Sequence, residues 1–243
     1  MTHNSDTTIE VRAGQSFAGP SDRHFSRVGA AAALLGLIVY ATAAMLHPGT
    51  PPHETRAAFA HYAQEPLWGV IHLLELLGIL LMCVTCGAVA WRLRQGAAGV
   101  WAALAAGATG VFASIYAIFT AVDGVALGVL VRRLAEADPG RQELLYESAF
   151  AVRQVEAGLF GLQWFVFGIA MAAFATAFLR SDLDRTWALG LGMLSVLASL
   201  GTLAFGVVQV QTGFTELSMA FQPGLYLGVL WVVAAGVFLL RGG

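Results

Sequence analysis

The sequence is poor in charged residues, contains no lysine and has only two cysteines. Charged residues are 12% of its 243 residues and hydrophobic ones 58%, whereas soluble domains carry about a quarter charged residues. This excess of apolar side chains argues against an ordinary soluble domain and favours a chain that faces lipid. All 13 basic residues are arginine, which excludes lysine Schiff-base chemistry. The net charge of −2 argues against nucleic acid as a partner.

The sequence also lacks the motifs of several membrane-bound enzymes. It has no H-E-x-x-H motif, no G-x-S-x-G motif and no glycine-rich phosphate loop, which argues against zinc-protease, serine-hydrolase and nucleotide sites. All six histidines lie within the first 72 residues, so the facing histidine pair of a bis-histidine haem site is not expected. Cys83 and Cys86 form a C-x-x-C pair, but their apolar surroundings favour helix packing over redox or zinc chemistry.

What the sequence does contain is a series of long hydrophobic segments. Each is near the ~20 residues that cross a bilayer as an α-helix, and no strand-like alternation competes with them. The predicted spans are 28–46, 67–91, 99–122, 157–179, 186–208 and 223–240. The expected fold is therefore all-α, a polytopic membrane helix bundle with six transmembrane helices.

The polar segment before the first span and the placement of arginine predict a topology. Residues 1–27 show no apolar periodicity and are predicted to form a disordered cytoplasmic tail, with residues 28–241 as a single six-helix transmembrane domain. Eight of the 13 arginines fall on the side of the N-terminus, which favours an N-in/C-in orientation. An A-x-A pattern at 41–43 leaves open that residues 1–43 are a cleaved signal, although we expect an uncleaved first span.

Two of the predicted outer loops carry helix signals. Thr50 and Pro51 are a cap and first-turn pair that predicts a short helix through 53–64. Asp138 and Pro139 are a second such pair. The helix that they begin is expected to run directly into the fourth span.

Polar residues within the predicted spans concentrate at one depth. At 1.5 Å per residue, Asp123 lies roughly 33 Å along the third span, near its outer end. The other polar residues predicted at this depth are His47, His72, Glu75, Arg153, Glu156, Gln209, Gln211 and Glu216. Because ionisable residues in spans usually face the bundle interior or a wet cavity, they predict an outward-facing polar pocket. Its expected aromatic walls include Trp68, Tyr116 and the segment 164–167.

Five residues of this layer are the candidate ligand-binding residues: His72, Glu75, Asp123, Arg153 and Glu156. Arg153 is expected to pair with Asp123 or Glu156 or to anchor an anion, and His72 and Glu75 are expected to exchange protons. The predicted ligand is a small molecule, a lipid head group or an ion. Two alternatives stay open. In one, His72, Glu75 and Asp123 hold the metal of a membrane-embedded enzyme; in the other, ion pairs merely join the third and fourth spans.

Several short motifs give a resemblance to a known group of proteins. The motifs are AVDGVAL at 121–127, ESAFAVRQVEAGLFG at 147–161, HP at 47–48, LWGVIHLLELLG at 67–78 and GFTEL at 213–217. Together they resemble a group of six-span bacterial membrane proteins of unknown function, similar to a larger domain-of-unknown-function family, and the resemblance covers most of 28–240. It implies a multi-pass protein of the bacterial cytoplasmic (inner) membrane. It points to His72, Asp123, Gly124, Arg153 and Glu156, and implies no activity.

The expected partners follow from composition and from small residues in the spans. The lipid bilayer is the first partner, and a small molecule or a lipid is the predicted ligand. Gly224 and Gly228 form a G-x-x-x-G pattern, which favours close helix packing within the chain or in a homo-oligomer.

Overall fold

The computed structural model describes residues 20–49 and 53–241, and this part of the chain is helical without any strand. It contains nine α-helices: α1 (Pro20–Leu46), α2 (Thr55–Gln64), α3 (Trp68–Arg92), α4 (Gly99–Thr120), α5 (Gly128–Ala135), α6 (Pro139–Leu179), α7 (Arg185–Thr212), α8 (Glu216–Phe221) and α9 (Leu225–Arg241). A π-helical segment, Ala121–Leu127, joins α4 to α5 without a break. The three together form one continuous helix.

Six helical stretches within the described residues are long and apolar enough to cross a membrane. They are Asp22–Leu46, Trp68–Arg92, Gly96–Ala135, Pro139–Leu179, Arg185–Thr212 and Glu216–Arg241. The predicted all-α fold with six spans is therefore confirmed. Helix α6 packs against both α4 and α7, and α1 packs against α3 and α9. We call the end of the bundle that carries α2 and α8 the α2 end.

The first helix begins earlier than predicted. Helix α1 starts at Pro20, so residues 20–27 are helical and do not belong to a disordered tail, while residues 1–19 lie outside the described part. Asp22 accepts hydrogen bonds from Trp91 Nε1 at 2.8 Å and from Arg94 at 3.0 Å, and Phe25 stacks on Trp91. These contacts with the end of α3 stabilise a polar helical turn that has no apolar periodicity of its own.

The third span also extends beyond its predicted end at residue 122. Its helix continues through the π-helical segment and α5 to Ala135. Leu127 and Val131 are buried against Phe59 and Tyr62 of α2, in a small second core at the α2 end. This burial explains the extension, because hydropathy alone marks the polar residues after Leu130 as a loop.

Both predicted outer helices are present. Helix α2 occupies Thr55–Gln64, within the predicted 53–64, whereas its predicted cap Thr50 lies outside the described residues. Helix α6 begins at Pro139 after Asp138 and continues without interruption into the fourth span, as predicted, although the Asp138 side chain makes no capping hydrogen bond.

The glycines of the small-residue motifs contact helices of the same chain. A Cβ added to Gly224 would lie 2.9 Å from the carbonyl oxygen of Gly201, and one added to Gly228 would lie 3.0 Å from Phe167. Near the opposite end, a Cβ on Gly236 would lie 3.0 Å from Ala33 of α1. The first half of α1 and the end of α9 therefore pack together at the end of the bundle opposite α2. These glycine contacts are all within one chain, so the predicted homo-oligomer stays a prediction.

Candidate ligand-binding site

A cavity of about 320 Å³ lies at the α2 end of the bundle. Its volume is within the ~300–1,000 Å³ typical of small-molecule sites. Its main polar and aromatic wall residues are Tyr40, His47, Tyr62, Glu75, Tyr116, Asp123, Arg153, Glu156, Phe214 and Gln222. They come from α1, α2, α3, the α4–π helix and α6, together with the connections that follow α1, α7 and α8. We refer to this space as the polar cavity.

Four of the five predicted site residues line the polar cavity: Glu75, Asp123, Arg153 and Glu156. The fifth, His72, lies directly behind Asp123 and is 1% exposed. Three different spans thus bring these side chains to one place, at the depth that helix rise predicted. That they bind a ligand stays a prediction.

His72 and Asp123 form a buried side-chain contact between α3 and the π-helical segment. His72 Nε2 lies 2.9 Å from Asp123 Oδ2, and His72 Nδ1 lies 2.8 Å from the backbone oxygen of Trp68. The indole Nε1 of Trp68 in turn donates to the backbone oxygen of Asp123 at 3.0 Å. These three hydrogen bonds form a closed clamp, and they fix the orientation of the Asp123 carboxyl group.

The clamp holds one proton between two side chains. The Trp68 carbonyl can only accept, so His72 Nδ1 carries a proton. The 2.9 Å contact between His72 Nε2 and Asp123 Oδ2 requires one further proton, on the nitrogen or on the oxygen. Either placement leaves the pair without net charge, which lowers the cost of burying it.

The π-helical segment and two glycines allow this close approach. A Cβ added to Gly124 would lie 2.7 Å from His72 Cβ, and one added to Gly128 would lie 2.5 Å from Trp68 Cδ1. Short π-helical insertions occur frequently at functional sites. The sequence marked Asp123 and Gly124 through the AVDGVAL motif, but hydrophobic periodicity carried no signal for the π-helical hydrogen bonds.

Arg153 pairs with Glu156 and not with Asp123. Its Nη1 donates to both carboxylate oxygens of Glu156, at 2.7 and 2.9 Å, and the guanidinium lies 4.1 Å from the centre of the Phe214 ring. Arg153 is therefore an internal counter-ion. Both charges of this pair belong to α6. The hydrogen bond between His72 and Asp123 joins the second span to the third at the same depth.

The donor arrangement does not support the metal-enzyme alternative. Within residues 20–49 and 53–241, no group of three histidine, cysteine, aspartate or glutamate side chains is arranged to hold a metal ion. Both ring nitrogens of His72 are already engaged, by Trp68 and Asp123. Glu75 lines the polar cavity, whereas His72 lies behind Asp123.

The sequence analysis missed Tyr62, whereas it placed His47 in the polar layer. Tyr62 on α2 stacks on Trp68, with ring centres 4.3 Å apart, and His47 contacts both Trp68 and His72. Burial raises the pKa of Tyr62 to about 12, so it stays a neutral phenol. Burial also lowers the pKa of His47, which favours a neutral ring. No periodic pattern of the spans identifies Tyr62, because it lies on α2, which is not one of the six spans.

Other predicted members of the polar layer lie elsewhere. Tyr116 lines the polar cavity as expected, but Trp68 belongs to the clamp. Trp164 and Phe167 of the segment 164–167 line a neighbouring apolar cavity. Gln209 is fully buried and is not a wall residue of the polar cavity.

Fold and site together define the class as a multi-pass α-helical membrane protein with a cavity in one half of its bundle that is lined by ionisable side chains. No protein-family model matches the chain, and no curated protein or solved structure is detectably similar to it.

Proposed function

We propose that this multi-pass membrane protein binds a small polar molecule or a lipid head group in the polar cavity. The observation that carries the proposal is the convergence of Glu75, Asp123, Arg153 and Glu156 on one space of ligand size. Ionisable side chains inside spans are costly and typically mark ligand or ion sites. The Arg153–Glu156 pair lies within one helix, and both side chains line this cavity.

We further propose that the protein resides in the bacterial cytoplasmic membrane with both ends of its described chain inside. The resemblance to six-span bacterial proteins supports the location. Arg94, Arg180, Arg185 and Arg241 lie at the end of the bundle opposite α2, and cytoplasmic segments carry an excess of arginine. The polar cavity then faces the outer leaflet.

Cysteine accessibility tests both proposals. Met219 lines the polar cavity and Met171 is fully buried in the core. In a Cys83→Ala/Cys86→Ala background, M219C is expected to react with a membrane-impermeant maleimide in intact cells, whereas the matched variant M171C is not. If M219C reacts in inside-out vesicles but not in cells, the proposed orientation is wrong, while the proposed binding cavity is not affected.

The same cysteine reports occupancy. Protein excised together with its native lipid by a styrene–maleic acid copolymer is expected to react about tenfold more slowly than delipidated protein, since ~1.4 kcal/mol of protection corresponds to that factor. Equal rates, or no reaction of M219C from either side, would contradict a binding cavity and favour a purely structural or assembly role for the polar layer.

A further inference from the structure

A second, apolar cavity adjoins the polar cavity. It measures about 220 Å³ and is walled by side chains such as Met82, Cys83, Trp164 and Phe167. Four residues line both spaces: Tyr40, Ala44, Phe160 and Gln222. The two cavities are therefore neighbouring compartments, one charged and one hydrophobic. We call the second one the apolar cavity.

The shared wall is exposed toward the surrounding membrane between α1 and α9. Ala44 and Gln222 are exposed, and Tyr226 of the apolar cavity is 65% exposed. At the opposite end the same two helices pack closely, where a Cβ on Gly236 would lie 3.0 Å from Ala33. The exposed wall residues therefore lie in the half of the bundle nearer α2, on two helical stretches that are apolar enough to cross a membrane.

The polar compartment presents two carboxyl groups that are not paired with an arginine, those of Asp123 and Glu75. Arg153 donates to both oxygens of Glu156 instead. Asp123 Oδ1 is buried and has no hydrogen-bond partner among the described residues. Glu75 takes part in none of the ion pairs that the described residues form. A head group that donates hydrogen bonds, such as an ammonium or a hydroxyl, fits these two carboxyl groups better than an anionic phosphate does.

We propose that the two cavities together hold one membrane amphiphile that enters sideways between α1 and α9. Its cationic or hydroxyl-bearing head lies against Glu75 and Asp123, and its apolar chain lies in the apolar cavity. This inference rests on the proposed function and names its ligand class. A charged compartment that directly adjoins a hydrophobic one matches such a molecule better than a fully water-soluble solute.

Photo-crosslinking tests the inference on the full chain in phosphatidylcholine nanodiscs. The probe is dodecylamine with a diazirine at the far end of its chain. We expect it to label residues of the apolar cavity, Met82, Cys83 or Tyr226, as mapped by mass spectrometry. Unlabelled dodecylamine and dodecanol are expected to compete, and dodecyl phosphate is expected to compete about tenfold less well, a difference of ~1.4 kcal/mol.

Two variants probe the entry and the head group. Ala44→Trp, at the shared wall, is expected to reduce labelling about tenfold, whereas Ala41→Trp, on an exposed position of the same helix outside both cavities, is expected to leave it unchanged. Glu75→Gln keeps the shape of the side chain and is expected to weaken competition by dodecylamine but not by dodecanol.

The outcomes separate this inference from the proposed function. Labelling that is insensitive to Ala44→Trp would contradict the proposal that one amphiphile occupies both cavities. Competition by dodecyl phosphate equal to that by dodecylamine would contradict it as well. If M219C still reacts more slowly in protein excised with its native lipid while dodecylamine does not bind, the polar cavity binds a different ligand. Only the amphiphile proposal is then rejected. If M219C is also unreactive, or reacts equally fast with and without native lipid, the proposed ligand-binding function and the amphiphile proposal are both rejected.

Discussion

Replacing Arg153 with alanine is expected to lower the free energy of unfolding by about 3–5 kcal/mol, the usual cost of breaking a buried ion pair. Arg153 and Glu156 are 3% and 2% exposed, and the variant leaves the Glu156 carboxylate in the bundle without its counter-ion. The loss can be measured by titrating the purified protein with sodium dodecyl sulfate in mixed micelles and following the loss of helix.

The chain offers a matched control for this experiment. Arg56 forms an ion pair with Glu143 at 3.3 Å, but both side chains are largely exposed, at 65% and 72%. Arg56→Ala is therefore expected to cost no more than about 1 kcal/mol, as exposed pairs generally do. If Arg153→Ala proves as mild as Arg56→Ala, the Arg153–Glu156 pair is not the buried pair that the structure shows.

A double variant separates burial from specificity. Changing both Arg153 and Glu156 to methionine removes both charges and retains much of the side-chain volume, so we expect it to recover a large part of the lost stability. The same protein is expected to lose protection of M219C, because the cavity has lost its ionised wall. Recovered stability with intact protection would show that these charges do not take part in binding.

The depth of the site could be predicted from the sequence, but its pairing could not. Helix rise alone places Asp123, Arg153 and His72 near one end of their spans, because 1.5 Å per residue holds in any α-helix. Which side chains meet depends on how each helix is rotated. Two glycines and a π-helical segment set that rotation for Asp123, and they turn it toward His72 instead of Arg153.

The apolar cavity and the start of α1 were beyond sequence reasoning for a different reason. A cavity is space that the walls of several helices leave unfilled, so no single segment encodes it. The apolar cavity takes its walls from α1, α3, α4, α6 and α9. Similarly, the helical turn at Asp22 depends on Trp91 and Arg94, about 70 residues later in the sequence. Periodicity reports only on residues close together in the chain.

The second large effect that we predict is on stability, and it arises where α3 and the π-helical segment approach each other closely at Gly124. Gly124→Ala is expected to lower the free energy of unfolding by about 1–3 kcal/mol, the typical cost of overpacking, because the added Cβ would lie 2.7 Å from His72 Cβ. To relieve this contact the two helices must separate. The separation lengthens the 2.9 Å hydrogen bond between His72 Nε2 and Asp123 Oδ2.

The control for this variant is a glycine of the same continuous helix with open space around it. Nothing lies within 4 Å of a Cβ added to Gly110, so Gly110→Ala is expected to be neutral or to stabilise by up to about 1 kcal/mol through helix propensity. Unfolding in mixed micelles measures both variants. Nitrogen NMR of labelled histidine reports the His72 hydrogen bond directly, and its signal is expected to change only in Gly124→Ala.

The two readouts distinguish a local clamp from general packing. If the clamp orients Asp123 for a ligand, Gly124→Ala also loses the protection of M219C, whereas a destabilised core variant such as Val89→Ala keeps it. Val89 is fully buried on the same helix as His72, near the opposite end of that helix, and lines neither cavity. If Gly124→Ala unfolds like Gly110→Ala and retains its histidine signal, the glycine is not what brings His72 and Asp123 together.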